Sequence, residues 1–197
     1  IGFFFINPND SRVLTLFGEY KGTTKQNGFF WANPFYTKKA VSMRARNFES
    51  ERLKVNDKRG NPILISVITV WRVKNSYKAA FEVESYENFV KIQSDAAVRH
   101  MAGSYSYDNF DEGQHEITLR SGMEEINHSL EKELSERLTI AGIEVMEARI
   151  GYLAYAEEIA SAMLRRQQAE AIVAARHKIV EGAVSMVEMA LHDLKIK

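Results

Sequence analysis

The sequence predicts an α+β fold: a small, mainly antiparallel sheet with packed helices, followed by one long C-terminal helix. Three observations carry this expectation. Residues 3–73 fall into short runs of β-branched and aromatic residues separated by polar turns. From Tyr77 onward the apolar residues recur at spacings of three and four instead of two. Residues 156–194 contain no proline and a single glycine, Gly182, among Ala, Glu, Arg, Met and Val. The chain therefore divides into a folded domain, residues 1–154, and a long helical, coiled-coil-like oligomerisation segment, residues 155–197.

The opening Phe3-Phe4-Phe5-Ile6 reads either as a buried first strand or as the end of a hydrophobic anchor lying before Ile1, since the chain has no initiator methionine. A turn at Asn7-Pro8-Asn9-Asp10 leads into Val13-Leu14-Thr15-Leu16-Phe17, which ends at Gly18. Gly22 and residues 23–28 read as a loop, residues 29–31 as a short strand before the Asn33-Pro34 turn, and residues 41–44 as another. Between Phe48 and Val73 two strand-like runs flank a polar connection, residues 56–62, and predict a hairpin. In its second arm Ile63, Ile65, Val67, Thr69, Trp71 and Val73 share one face, and Leu64, Ser66, Ile68, Val70 and Arg72 share the other. Two largely apolar faces predict a central strand covered on both sides.

Ser85 suits the N-cap of a helix over residues 86–101, with Phe89, Ile92 and Ala96 on its apolar stripe and Gly103 as its stop. After an aromatic loop, residues 105–110, a second helix carries Ile117, Met123, Ile126, Leu130, Leu134 and Leu138, and Gly142 ends it. Ile143-Glu144-Val145 alternates as a strand that rejoins the sheet, and residues 147–152 continue it less regularly.

The last helix, on the order of 55 Å long at 1.5 Å per residue, is longer than a small domain can cover. Steps of four and three from Ile159 reach Met163, Arg166, Glu170, Val173, His177, Val180, Val184, Val187 and Leu191, apolar at seven of the ten positions. One residue earlier runs a neighbouring seam with Ala169, Ile172, Ile179, Ala183, Met186 and Ala190. Two adjoining seams can meet more than one partner helix, which favours lateral assembly into a homo-oligomer over a simple dimer; the alternative is a helix folded back on its own domain. The candidate oligomerisation residues are Ile159, Met163, Val173, Val180, Val184, Val187 and Leu191.

The chain's 45% hydrophobic content supports an ordinary core. The lack of cysteine removes disulfides, thiolate metal sites and cysteine nucleophiles. No histidine pair has metal-ligand spacing, and there is no GxSxG turn, GxGxxG loop or GxxxxGK[ST] loop. No catalytic, cofactor-binding or metal residue is therefore expected, and no enzyme. No apolar stretch reaches the roughly 18–20 residues of a membrane span.

Formal charge is zero, which argues against nucleic acid as a partner. The distribution is uneven: residues 36–75 hold ten Lys/Arg against three Asp/Glu, and residues 111–147 hold three against ten. Such poles suit head-to-tail pairing or plain solvated faces. The basic stretch also offers Lys38, Lys39, Arg44, Arg46, Lys58 and Arg59 as contacts to anionic lipid, and a peripheral lipid-binding module is the alternative function.

Four stretches, in this order and spacing, carry a family likeness. They are Phe4-Phe5-Ile6-Asn7-Pro8 with Val13-Leu14-Thr15-Leu16-Phe17-Gly18-Glu19-Tyr20 and residues 28–34; Val55-Asn56-Asp57 leading to residues 67–73; residues 134–145; and Met163-Leu164-Arg165-Arg166-Gln167-Gln168-Ala169-Glu170-Ala171 with Ile179-Val180-Glu181-Gly182-Ala183. The chain resembles the stomatin, prohibitin and flotillin (SPFH) domain family, also called Band 7. The resemblance implies a non-enzymatic, membrane-associated scaffold with a hydrophobic anchor upstream of Ile1. It implies homo-oligomers built through domain edges and the trailing helix, organising membrane microdomains or membrane protein complexes. In some relatives such a scaffold regulates a membrane protease. Two departures stand out: the anchor is missing unless residues 3–6 are its end, and the helix stops at Lys197 where relatives often run on.

Overall fold

A computed structural model describes residues 2–108 and 117–196, the last four by their backbone alone. The expected aromatic loop ends at Phe110, which lies outside the described residues, as does His115. The described chain runs β1 (Phe3–Ile6), β2 (Asp10–Leu16), β3 (Glu19–Thr24), β4 (Gly28–Trp31), β5 (Thr37–Ser42), β6 (Arg46–Glu49), β7 (Leu53–Asn56), β8 (Pro62–Val73), α1 (Ser76–Phe81), α2 (Tyr86–Ser104), α3 (Met123–Leu138), a 3₁₀ turn (Thr139–Ala141), β9 (Ile143–Tyr155) and α4 (Glu157–Ile196). This is the α+β class the sequence predicts, with every strand pair antiparallel.

The strands form three small sheets. β1 pairs with β4; β2 lies between β3 and β5; β8 has β6 and β7 along one edge and β9 along the other. β8 is central, as its sequence predicts, but only one of its faces is fully covered. Ile63, Ile65, Val67, Thr69, Trp71 and Val73 are all buried, whereas on the other face only Ser66 is buried, Leu64, Ile68 and Val70 are half-buried and Arg72 is exposed. The helices explain the difference: α2 and α3 both pack on the covered face, where Ile126, Leu130, Leu134 and Leu138 of α3 are fully buried. Nothing of comparable bulk crosses the other face among the described residues.

β9 follows β8 over its whole length with two bulges, one residue extra on β9 at Gly151 and another at Met146. These are the physical basis of the weak alternation in residues 147–152, because each bulge resets which face the following side chains take. Beside the Gly151 bulge, the Ile150 N–H turns to the Asn127 side chain of α3 at 3.1 Å. A helix residue thus satisfies a donor that the ladder leaves over.

Several local expectations shift. Gly22 and residues 23–24 belong to β3 and Gly28 to β4, not to a loop, because β3 pairs with β2 as far as Thr24 and Gly28 pairs with Ile6. Of the strand expected over residues 41–44, Val41 and Ser42 are the end of β5, while Met43 and Arg44 lie between it and β6. The buried stripe of α2 is Val90, Ser94, Ala97, Val98 and Met101, so Ile92 is exposed and Gly103 lies inside the last turn. Ser85 does cap α2, its Oγ accepting the Asn88 N–H. α3 starts at Met123, leaving Ile117 in the preceding turn. A short helix, α1, is capped by Asn75, whose side chain accepts from the Tyr77 and Lys78 N–H groups.

Gly142 shows why its position admits no side chain. Its φ is +66°, and an added Cβ would stand 2.5 Å from the Asn75 carbonyl oxygen. Its own carbonyl accepts the N–H groups of Lys74 and Asn75, both at 2.9 Å, so α3, α1 and the end of β8 meet there. Gly142→Ala is expected to cost about 2–3 kcal/mol from left-handed strain and the clash, read as a lowered urea midpoint.

Two residues on, the Glu144 carboxylate accepts from Lys74 Nζ at 2.7 Å and Arg72 Nε at 2.6 Å. Those two hydrogen bonds, the Lys74 one foremost, hold its carboxyl below the usual range. A depressed folded-state pKa contributes stability above the unfolded pKa and loses it as pH falls through the folded value. Glu144→Gln should therefore flatten the acid limb of the stability profile, bringing the urea midpoints at about pH 7 and about pH 4 closer together than in wild type.

Candidate functional site

The long helix is held to its domain by its first turns only. The Ala156 N–H donates to the Pro62 carbonyl, and Ala156 and Met163 are buried. Ile159, Gln167, Glu170 and Ala174 are half-buried at spacings of three and four. Lys54 pairs with Glu158, and Gln167 Nε2 reaches Asp108 Oδ2 at 3.5 Å.

Asp57 builds the seat from beneath. Its buried carboxylate accepts from the N–H groups of Arg59, Asn61 and Tyr107 and from the Asn61 amide. This ties residues 105–108 to the β7–β8 turn and sets Tyr107 against Tyr155, ring centroids 3.9 Å apart and planes tilted by 35°. Burial raises both phenol pKa values. Asp108 then pairs with Arg120 at 3.1 Å while meeting Gln167.

Beyond Ala174 every residue as far as His192 is exposed. Of the seven candidate oligomerisation residues, Val173, Val180, Val184, Val187 and Leu191 are each more than half exposed. Met163 is a correction: at 9% exposure it is spent on the chain's own domain, and Ile159 is half-buried beside it. The physical reason is that the seam's first two members coincide with the turns that dock on the Asp57–Asp108 seat.

The six candidate lipid contacts are spread over two strands, β5 and β6, and two connections. Lys38 of β5 stands over the Phe4 ring at 5.5 Å, and Lys39 donates to the Ala80 carbonyl. Arg44 is exposed between β5 and β6. Arg46 is half-buried, pairing with Glu87 and lying over the Trp71 and Tyr86 rings. Lys58 and Arg59 are exposed in the β7–β8 turn, and neither lacks a partner.

The sequence reading missed an aromatic surface at the N-terminal end. β1 and β4 register Phe3 against Trp31 and Phe5 against Phe29, which places all four on one face of a two-stranded sheet. They are exposed by 56%, 65%, 62% and 71% respectively. Phe3 stacks on Phe29 at 5.3 Å. Phe4 stacks on Phe30 on the opposite face, at 5.8 Å. Phe17 at the β2–β3 turn and Phe35 before β5 form a second exposed stack at 6.4 Å. The signal was present: strands reading FFFI and GFFW are apolar on both faces, and a two-stranded sheet has no second layer on each side.

A cleft of 280 Å³ is lined in part by Lys74, Asn75, Lys78, Ser135 and Thr139, with the ion-paired Glu144 as its carboxylate. Among the described residues no three His, Asp or Glu side chains stand close enough to hold a metal, and no helix is long and apolar enough to cross a membrane.

A search of curated proteins finds no match. Comparison with family profiles matches residues 4–183 to the "SPFH domain / Band 7 family". That span runs from β1 through the first two thirds of α4. Members of this family are in general non-enzymatic scaffold domains that associate with membranes and oligomerise. With the strands, the packed helices and the first two thirds of the trailing rod inside the matched region, the chain belongs to the SPFH domain / Band 7 family.

Proposed function

We propose that this chain is a non-catalytic scaffold at a membrane surface, assembled into homo-oligomers through the distal part of α4. In this reading residues 1–154 present the domain to the membrane and residues 155–197 assemble it, corralling membrane proteins, a membrane protease among the candidates.

The observation that carries it is the bare rod. From Ile172 to Leu191 nine large apolar side chains are each more than half exposed: Ile172, Val173, Ile179, Val180, Val184, Met186, Val187, Met189 and Leu191. Each gains on the order of 1 kcal/mol when a partner covers what the monomer leaves wet. Val173, Val180 and Val187 repeat every seven residues, as do His177, Val184 and Leu191, which is a heptad seam with one polar interruption. Ile172, Ile179 and Met186 form the adjoining stripe, so a helix with a neighbour on each side buries both. Weak contacts repeated around such an assembly give avidity without one strong interface.

The alternative, a peripheral module gripping anionic lipid through Lys38, Lys39, Arg44, Arg46, Lys58 and Arg59, has less support. Arg46 is half-buried against Glu87 and two rings, and Lys39 is committed to a backbone carbonyl.

Light scattering and sedimentation across a concentration series test the scaffold. Val180→Asp with Val184→Asp should weaken self-association at least about tenfold, as should truncation after Ala174, while the melting temperature of the domain stays put. Wild-type chain that remains monomeric at the highest concentration sinks the reading. Met163→Ala should do the reverse: about 2 kcal/mol lost from domain stability, with the distal seam's self-association retained.

A further inference from the structure

We propose that the aromatic plate Phe3, Phe5, Phe29 and Trp31, with the Phe17–Phe35 tip, seats in the interfacial zone of a lipid bilayer through its rings. This deepens the membrane half of the function proposed above and is independent of the rod.

Three observations carry it. The plate is uncharged and uncovered: four large aromatics stand more than half exposed on one face of a two-stranded sheet, a sheet size that is marginal in water without a covering layer. Phe and Trp rings suit the headgroup boundary, where one edge of the ring is wet and the other apolar. The strands have free edges, so the plate can lie in that boundary but not pass into hydrocarbon, where unpaired backbone groups find no partner.

The second observation is strain. Phe17 and Gly18 form the β2–β3 turn with φ +50° and +88°, the two-residue geometry that ordinarily selects Asn-Gly. A bulky aromatic in the left-handed region is a genuine outlier, and this one is 89% exposed. Its ring stacks on the likewise exposed Phe35 and takes no part in the buried core. A ring carried at the tip for contact with lipid accounts for it.

The third is charge, and it selects lipid over a second copy of the chain. From Tyr20 to Phe48 the sequence has no Asp or Glu; of its six Lys and Arg side chains Lys21 pairs with Glu19, Lys39 is held by the Ala80 carbonyl and Arg46 by Glu87, which leaves Lys25, Lys38 and Arg44 to set the charge. Two copies meeting plate to plate would bring these like charges together, whereas an anionic leaflet attracts them. The rings supply the hold and the lysines bias the approach.

Trp31 is one of two tryptophans, and Trp71 is buried at 4% exposure. The emission difference between wild type and Trp31→Phe therefore isolates the plate without disturbing the core. With phosphatidylcholine vesicles, alone or mixed with phosphatidylserine, that difference spectrum should shift to the blue. Lipids brominated near the headgroup should quench it, and the shift should persist in high salt. Phe29→Ser and Phe35→Ser should each weaken vesicle flotation by about tenfold and leave oligomer size in lipid-free buffer unchanged. Phe17→Asn should raise the melting temperature by about 2–4 °C while weakening flotation. An unshifted Trp31 signal on both vesicle types overturns the proposal, leaving the scaffold reading untouched. A smaller oligomer for Phe29→Ser without lipid also overturns it, since the plate would then be covered by another copy.

Discussion

The pairing of β8 with β9 is the constraint from which the other features follow. β8 is long enough, at twelve residues, to serve as partner to β6, β7 and β9 together. Its inner face then provides the floor on which α2 and α3 pack. Because β9 runs antiparallel to it and ends beside Ile63, the Ala156 N–H reaches the Pro62 carbonyl, and α4 must start at the β7–β8 turn. Asp57 sits in that turn and gathers four donors. A one-residue slip between β8 and β9 would send the inner set of side chains outward and move the start of the rod as well. The two bulges fix the register and the Asn127 side chain takes up the donor left over at one of them.

Much of this was legible in the sequence where a single local rule dominated. The alternation in residues 63–73 marks β8, Ser85 marks the start of α2, and the absence of proline and near-absence of glycine marks α4. Leu130, Leu134 and Leu138 give α3 its buried stripe directly, since large aliphatic residues at spacing four have few other uses. α2 was harder because its buried face includes Ser94, Ala97 and Ala102, small residues that let the helix approach the sheet but carry little hydropathy signal. Ile92, the more apolar residue, is outside.

The candidate surfaces divide along the same line. Val173, Val180, Val184, Val187 and Leu191 are exposed, as a lone rod requires, because periodicity over many turns survives any local detail. Met163 belongs to the same arithmetic series yet faces the domain. Sequence spacing says which residues share a stripe; it does not say how far along the helix the domain continues to cover that stripe. The aromatic plate was illegible for a different reason. Phe4 and Phe30 stack on one face of the two-stranded sheet and Phe3 and Phe29 on the other. Deciding which face is bare requires knowing that Lys38 of β5 lies over Phe4.

Placing an exposed ring plate and a long helix with a bare apolar stripe on one chain has an energetic logic under the proposed function. Either surface alone is a liability: exposed rings invite nonspecific aggregation, and a bare apolar stripe on a helix does the same. Together each limits the other's demands. A single plate of four rings and a tip holds a bilayer weakly and reversibly, because it enters only the boundary region. Under the two proposals together, a rod that gathered several copies would make the plates one multivalent contact, whose residence time would rise with copy number while each individual contact stayed labile. Such an assembly can stay on a membrane yet exchange its subunits, and so can be remodelled around changing neighbours. In that arrangement a strained Phe17 is tolerable, since its cost to one domain's stability is modest and its contribution at the membrane is repeated in every subunit.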